Sequence, residues 1–193
     1  MTAAFLLLML LSPLMLGIAL LIGLTGGGSP LYGHRRYGKD GRTFLCYKFQ
    51  SMAPDADARL ARLLASDPAA RAEWHRDQKL RHDPRVTAIG RILRKTSLDE
   101  LPQLFNILRG EMSLVGPRPI VAAEVARYGR RFVDYCSVRP GITGIWQISG
   151  RNDTGYRRRV AMDSLMARRM SPQLYARVLI GTARSVLSGR GAY

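Results

Sequence analysis

The sequence predicts an α+β fold, predominantly helical, in which a small β element and several amphipathic helices surround one core behind an apolar N-terminal helix. Three observations predict it. Residues 3–24 carry no charge, a run long enough to cross a bilayer. Residues 32–49 have strand propensity on either side of Asp40-Gly41, which reads as a hairpin with a tight turn. From Pro54 onward apolar residues recur at helical spacing, beginning with Leu60, Leu63 and Leu64. A chain of 193 residues is enough for one domain with a real core.

The apolar run comes first. No basic residue precedes it, and Gly26-Gly27-Gly28 is a poor cleavage site, which argues against a secretory signal. Ser12-Pro13 lies near its middle. Proline removes a helical hydrogen bond and crowds the preceding turn, and the Ser12 hydroxyl is placed to satisfy a freed carbonyl. A bend there either tilts a spanning helix or returns the chain to the face it entered from, and the residues leave both open. His34, Arg35, Arg36, Lys39 and Arg42 follow at once, and such an excess of positive charge holds the remainder in the cytoplasm.

The helical part then unrolls in pieces. Residues 54–79 read as helix with a break at Asp67-Pro68; Trp74 and His75 sit on the second piece and carry no evident chemistry. Ile89, Ile92 and Leu93 give a short helix an apolar face, with Arg91, Arg94 and Lys95 on the other side. Leu101, Leu104, Phe105, Ile107 and Leu108 form a strongly apolar helix that stops at Arg109-Gly110. Residues 121–135, 156–170 and 172–187 read as amphipathic helices with basic sides, either interfacial or ordinarily solvated. Cys46 and Cys136 stand at no metal-ligand or disulfide-framework spacing and read as plain buried thiols.

Charge narrows the function. The 30 Lys and Arg against 14 Asp and Glu leave a formal +16, a surface that seeks anions: nucleic acid, an acidic membrane face or phosphorylated substrates. In the middle of this cationic chain stand two adjacent carboxylates, Asp99 and Glu100. Just downstream of Arg91, Arg94 and Lys95, they suggest a nucleophile or base and a metal ligand acting on a phosphate. Ser97-Leu98-Asp99-Glu100 is also a capping-box pattern, and the two readings are compatible at a helix N-terminus. Lys48, the charge inside the second strand, reads either as a snorkelling edge lysine or as a phosphate contact. Pro117-Arg118-Pro119 presents an arginine between two fixed φ angles, suited to a phosphate or a flat base, or simply a rigid turn.

Asp83-Pro84-Arg85-Val86-Thr87, Leu93-Arg94, Ser97-Leu98-Asp99-Glu100-Leu101-Pro102-Gln103-Leu104, Val115-Gly116-Pro117-Arg118-Pro119 and Arg139-Pro140-Gly141-Ile142-Thr143-Gly144, in that order, resemble the bacterial sugar transferases, the monotopic phosphoglycosyl transferases. The resemblance runs from the apolar N-terminus to Tyr193. It implies an enzyme of the cytoplasmic membrane that moves a sugar-1-phosphate from a UDP-sugar to undecaprenyl phosphate, releases UMP and requires Mg²⁺. By the same resemblance Asp99 is the nucleophile that forms a phosphosugar intermediate, and Glu100 is its partner in proton transfer or in holding Mg²⁺ with Asp99. Arg94 binds substrate phosphate and Pro117-Arg118-Pro119 recognises the uridine nucleotide; beside these matches, Lys48 and Arg151 are taken as further candidate substrate-binding residues.

Ser12-Pro13 matches the break of a re-entrant helix, which makes residues 1–25 a membrane-embedded unit touching lipid and 26–193 a cytosolic, membrane-associated catalytic domain. Ile145-Trp146-Gln147-Ile148-Ser149-Gly150-Arg151-Asn152 and the C-terminal Ser188-Gly189-Arg190-Gly191-Ala192-Tyr193 resemble the branch that starts exopolysaccharide or O-antigen units with galactose or glucose phosphate; an N-acetylated amino sugar is the alternative. Gln50 departs from the pattern, standing where relatives commonly carry a basic residue, and the basic stretch that usually opens the family is missing. The rival class, a membrane-tethered nucleic-acid-binding protein, predicts basic and aromatic residues interleaved on one surface. Aromatics are 8% of the chain and the ordered motifs centre on two acids, so nucleic acid is not an expected partner.

Overall fold

The computed structural model describes residues 2–26, 28–77, 80, 82–150 and 154–188. Helix α1, Thr2–Gly26, takes up the whole apolar run, and helical backbone continues through Pro13. The carbonyl that Pro13 leaves without its i+4 donor is that of Met9, and the Ser12 hydroxyl donates to it at 2.9 Å. By length and composition α1 is able to cross a membrane. Its packing against the rest of the chain is one-sided. Ala4, Leu8, Met15, Ile18 and Ile22 are buried, recur every three or four residues once the partly buried Leu11 is counted with them, and share one core with Phe49, Leu93, Leu104, Ile107 and Met112, while Leu6, Leu10, Leu16, Leu20 and Leu24 stay exposed. One face of α1 therefore lies along the domain for its full length, and the opposite face is an uncovered row of leucines.

The hairpin forms as expected: β1 (Leu31–Tyr37) pairs antiparallel with β2 (Thr43–Phe49), with Leu31 opposite Phe49 and Tyr37 opposite Thr43. Its turn needs two left-handed residues, and Asp40 (φ 58) and Gly41 (φ 71) are the types that accept that conformation most cheaply. Helices α2 (Ala56–Ser66) and α3 (Pro68–Asp77) divide at the expected break, where Asp67 Oδ1 accepts from the Ala69 and Ala70 N–H groups. Helix α4 (Ala88–Thr96) starts at Thr87, whose hydroxyl accepts from Gly90 N–H. Gly90 lies so close to the Ser51 carbonyl that a Cβ there would collide with it.

Helix α5 (Gln103–Leu108) stops at Gly110, φ 76, as its sequence predicts. Asn106, fully buried on it, stitches α5 to the hairpin: its Oδ1 accepts from Tyr47 N–H at 3.0 Å, and its Nδ2 donates to the Leu45 carbonyl at 2.7 Å and to Glu111 at 2.6 Å. Asn106→Leu is expected to lower unfolding stability by about 2–4 kcal/mol, because the Tyr47 N–H, the Leu45 carbonyl and Glu111 would each lose this partner; chemical denaturation measures this, and a change under about 0.5 kcal/mol would rule the stitch unimportant.

Two features depart from the sequence reading. The strands β3 (Ser113–Val115) and β4 (Gly141–Thr143) pair in parallel, three residues each, too short to announce themselves by alternation. The expected single helix over 121–135 is two, α6 (Ala122–Tyr128) and α7 (Phe132–Cys136), separated at Gly129, φ 51, and a 3-10 turn. Breaking there lets both Tyr128 and Tyr135 face one core. Helices α8 (Ile145–Ile148), α9 (Tyr156–Arg169) and α10 (Pro172–Ser188) complete the chain.

Candidate active site

Asp99 and Glu100 come to their places by a route other than a capping box. Ser97 adopts the left-handed conformation, φ 60, ψ 16, and ends α4, its N–H turned back to the Arg94 and Leu93 carbonyls. Its side chain caps nothing, and Leu98–Glu100 form a single 3-10 turn. The expected Ser97–Glu100 capping box is therefore corrected: Ser97 closes one helix, and a residue with that backbone cannot hold its hydroxyl over the N–H groups ahead of it. Leu98 and Leu101 pack against the shared core and fix the turn from below.

Lys48 reaches the pair from β2. Its Nζ lies 2.5 Å from Glu100 Oε1 and 3.8 Å from Asp99 Oδ2, so the snorkelling reading of this lysine does not hold. Asp99 is 8% exposed. Burial pushes its carboxyl above the usual carboxylate range, and Glu100 adds to this, against the pull of Lys48, Arg94 and Arg118. Burial pushes Glu100 up as well, but Lys48 and Arg118 outweigh it and hold that carboxyl below its ordinary value. Two neighbouring acids are thus driven apart by their surroundings, the usual condition for dividing roles between them.

The cations are arranged in depth. Arg94, on the side of its helix opposite the apolar face, is half-buried, and its Nε donates to Ser51 Oγ at 2.9 Å. Asp83 holds Arg85 through two parallel bonds of 2.8 and 2.7 Å, and that guanidinium lies 4.9 Å from the Trp74 ring. In the loop beside the dyad Pro117 and Pro119 are buried and Arg118 is half-buried, with the Arg118 charge acting on both acids. Gln50 lies with Ile22, Thr25 and Met52 around a small cavity at the C-terminal end of α1. Arg151, with Asn152 and the end of the C-terminal motif, lies outside the described residues. A larger groove, about 530 Å³, is lined by Ala4, Ile107, Met112, Arg139 and Tyr175 among others and includes neither acid.

The supports of the Pro117–Pro119 loop were not legible in the sequence. Arg36, read there only as a topology signal, donates to the Pro119 carbonyl at 3.2 Å and lies 3.7 Å from Glu124. The Tyr135 hydroxyl accepts from Ile120 N–H at 3.3 Å and donates to the Tyr37 carbonyl at 2.6 Å. Asp163, 1% exposed, accepts from the Tyr128 hydroxyl at 2.7 Å. An acid at the centre of the otherwise basic 156–170 segment was the one available signal for it.

Burial pushes Asp163 up to about 7, against the Tyr128 hydrogen bond and the Arg118 charge. Its folded value lies above the unfolded 3.8, so the native state favours the neutral acid; that stability is complete below the unfolded value and is lost as pH rises through about 7. Wild type is expected to lose more melting temperature than Asp163→Asn between about pH 5 and about pH 8. Parallel pH profiles of the two proteins would contradict this.

No group of three or more His, Cys, Asp and Glu able to hold a metal occurs among the described residues. Mg²⁺ is commonly held by one or two carboxylates completed by substrate phosphates and water, and Asp99 with Glu100 is a donor set of that kind.

A family described as bacterial sugar transferase matches residues 1–189. An undecaprenyl-phosphate galactose phosphotransferase of Salmonella typhimurium is 53% identical over 167 residues, 86% of this chain and 35% of that protein. The exopolysaccharide production protein ExoY of Rhizobium meliloti is 48% identical over 191 residues, 99% of this chain and 84% of that protein. An undecaprenyl-phosphate glucose phosphotransferase of Komagataeibacter xylinus is 40% identical over 205 residues, spanning all of this chain and 36% of that protein. The chain thus spans about a third of the Salmonella relative and most of ExoY. With the family matched from the first residue almost to the last, the chain belongs to the bacterial sugar transferases.

Proposed function

We propose that the chain transfers a hexose-1-phosphate, galactose or glucose, from a UDP-sugar to undecaprenyl phosphate, releasing UMP, to start assembly of exopolysaccharide or another surface glycan. The observation that carries this reading is a buried pair of adjacent carboxylates, Asp99 and Glu100, bridged by Lys48 and set among Arg36, Arg94 and Arg118. Cations around an acid are what a carboxylate needs before it can approach an anionic phosphorus. The names of two relatives, an undecaprenyl-phosphate galactose phosphotransferase and an undecaprenyl-phosphate glucose phosphotransferase, point to the same acceptor and to a hexose.

In the first displacement an Asp99 carboxylate oxygen attacks the phosphorus that bears the sugar. The new O–P bond forms as the bridging P–O bond breaks, and UMP leaves with the bridging oxygen. In the second, a phosphate oxygen of undecaprenyl phosphate attacks the same phosphorus and the Asp99 carboxylate departs. Arg94 binds substrate phosphate, Pro117-Arg118-Pro119 takes the uridine nucleotide, and Lys48 keeps Glu100 ionised beside the reacting acid. Asp99 and Glu100 would hold Mg²⁺, which when bound supplies further neutralisation of the diphosphate.

Our reading of the location rests on α1. A helix that lays one face along the domain and shows leucines on the other is suited to lying within one leaflet, with the catalytic domain on the cytoplasmic face. We read Ser12-Pro13 as the re-entrant bend of the membrane-embedded form. A cysteine at Thr2 labelled solely from the periplasm would refute that topology. The activity is tested by UMP release from UDP-galactose or UDP-glucose with undecaprenyl phosphate and Mg²⁺: release that requires the lipid acceptor for repeated turnover supports it, and none from the wild type refutes it.

A further inference from the structure

Arg118 is held in an unusual way. Among the described residues no hydrogen bond or ion pair fixes its guanidinium, although the group lies close enough to Asp99 and Glu100 to shift both. What it rests on is an aromatic ring: Arg118 Cζ is 5.8 Å from the centroid of Trp146, and Arg159 Cζ is 4.8 Å from the same centroid. Trp146 is 3% exposed, and its indole N–H is buried with no hydrogen-bond partner among the described residues.

The ring cannot drift relative to the arginine. Gly116 N–H donates to the Thr143 carbonyl at 2.9 Å, and Gly141 N–H donates to the Pro117 carbonyl at 2.8 Å, so the β3–β4 pair ties the arginine loop to the start of α8. A Cβ on Gly144 would come within 2.6 Å of the Gly116 carbonyl, which leaves no room between the two segments. Trp146 lies on the four-residue α8 that begins directly after Gly144.

We propose that Trp146 is a positioning residue that holds the Arg118 guanidinium by its face, so that its N–H groups stay available for the phosphate oxygens of a nucleotide. A carboxylate partner would fix Arg118 too, but it would occupy those donors and would have to be displaced whenever an anion arrived. A ring attracts the cation without consuming a hydrogen bond. The inference rests on the proposed reading of this site as the donor nucleotide site.

The test uses the full chain in lipid nanodiscs and UMP as the probe, with affinity measured by calorimetry. Trp146→Leu is expected to weaken UMP binding on the order of tenfold, and Trp146→Phe, which keeps an aromatic face, to stay within about threefold of wild type. In an Arg118→Gln background Trp146→Leu is expected to add little, since both changes remove one interaction. The chain has two tryptophans, so Trp74→Phe leaves Trp146 as the sole indole. Its emission is expected to change on UMP binding, and to stay constant when Arg118→Gln is added. These last measurements decide the matter even if Trp146→Leu fails to fold. UMP binding that leaves Trp146 emission unchanged, or that is equally tight in a folded Trp146→Leu protein, overturns the inference while the donor site stands. A wild type that does not bind UMP removes both.

Discussion

Asp99→Asn is expected to reduce UMP release by about 10⁴-fold or more while UMP affinity stays within a few-fold of wild type. Asparagine keeps the shape and the burial, so the 3-10 turn survives, but an amide oxygen is no nucleophile towards phosphorus. A second readout makes the result specific. Wild type incubated with UDP-hexose without the lipid acceptor is expected to gain the mass of one hexose phosphate, and Asp99→Asn none. Glu100→Gln, which keeps the nucleophile, is expected to lose about 10²–10⁴-fold and still to accumulate the adduct. Activity persisting in Asp99→Asn would remove the assignment of the nucleophile and leave the family membership untouched.

Lys48→Met is expected to give the second largest effect: loss of about 10²–10³-fold in UMP release, and destabilisation of about 3 kcal/mol. The lysine is the nearest cation to both acids, 2.5 Å from Glu100 and 3.8 Å from Asp99, with side chains only 21, 20 and 11% exposed for Lys48, Glu100 and Asp99. Removing it leaves two adjacent carboxylates confined together with little water to screen them, the situation in which losing one partner of an ion pair costs most. Lys48→Arg is expected to recover part of the activity, limited by a longer and planar head. Full activity and unchanged melting in Lys48→Met would return this residue to the status of an edge lysine.

The same residues mark how far reading by pattern reaches. Asp99, Glu100 and Arg118 stood out because two acids in a basic chain and an arginine between prolines are visible without coordinates, and the structure brings them together with Lys48 and Arg94. Arg36, Trp146 and Asp163 did not stand out. Their places depend on contacts across the fold: Arg36 with Pro119, Trp146 with Arg118, Asp163 with Tyr128. The capping box failed for a related reason. Ser-x-x-Glu is a local pattern, and whether its serine begins a helix or ends one depends on where α4 must stop to let Leu98 and Leu101 enter the core.

By itself the sequence determined the apolar first helix, the hairpin with its Asp40-Gly41 turn, the break at Asp67-Pro68 and the stop at Gly110, because each depends on the backbone preference of a few consecutive residues. It also determined the family and the acids on which the chemistry is proposed to centre. Only the tertiary structure decided that α1 lies along the domain, that 121–135 divides at Gly129, that β3 and β4 pair in parallel, and that the Lys48 charge turns to Asp99 and Glu100. Burial, strand pairing and the path of a long side chain are set by whatever lies opposite in space, and no stretch of neighbouring residues contains that information.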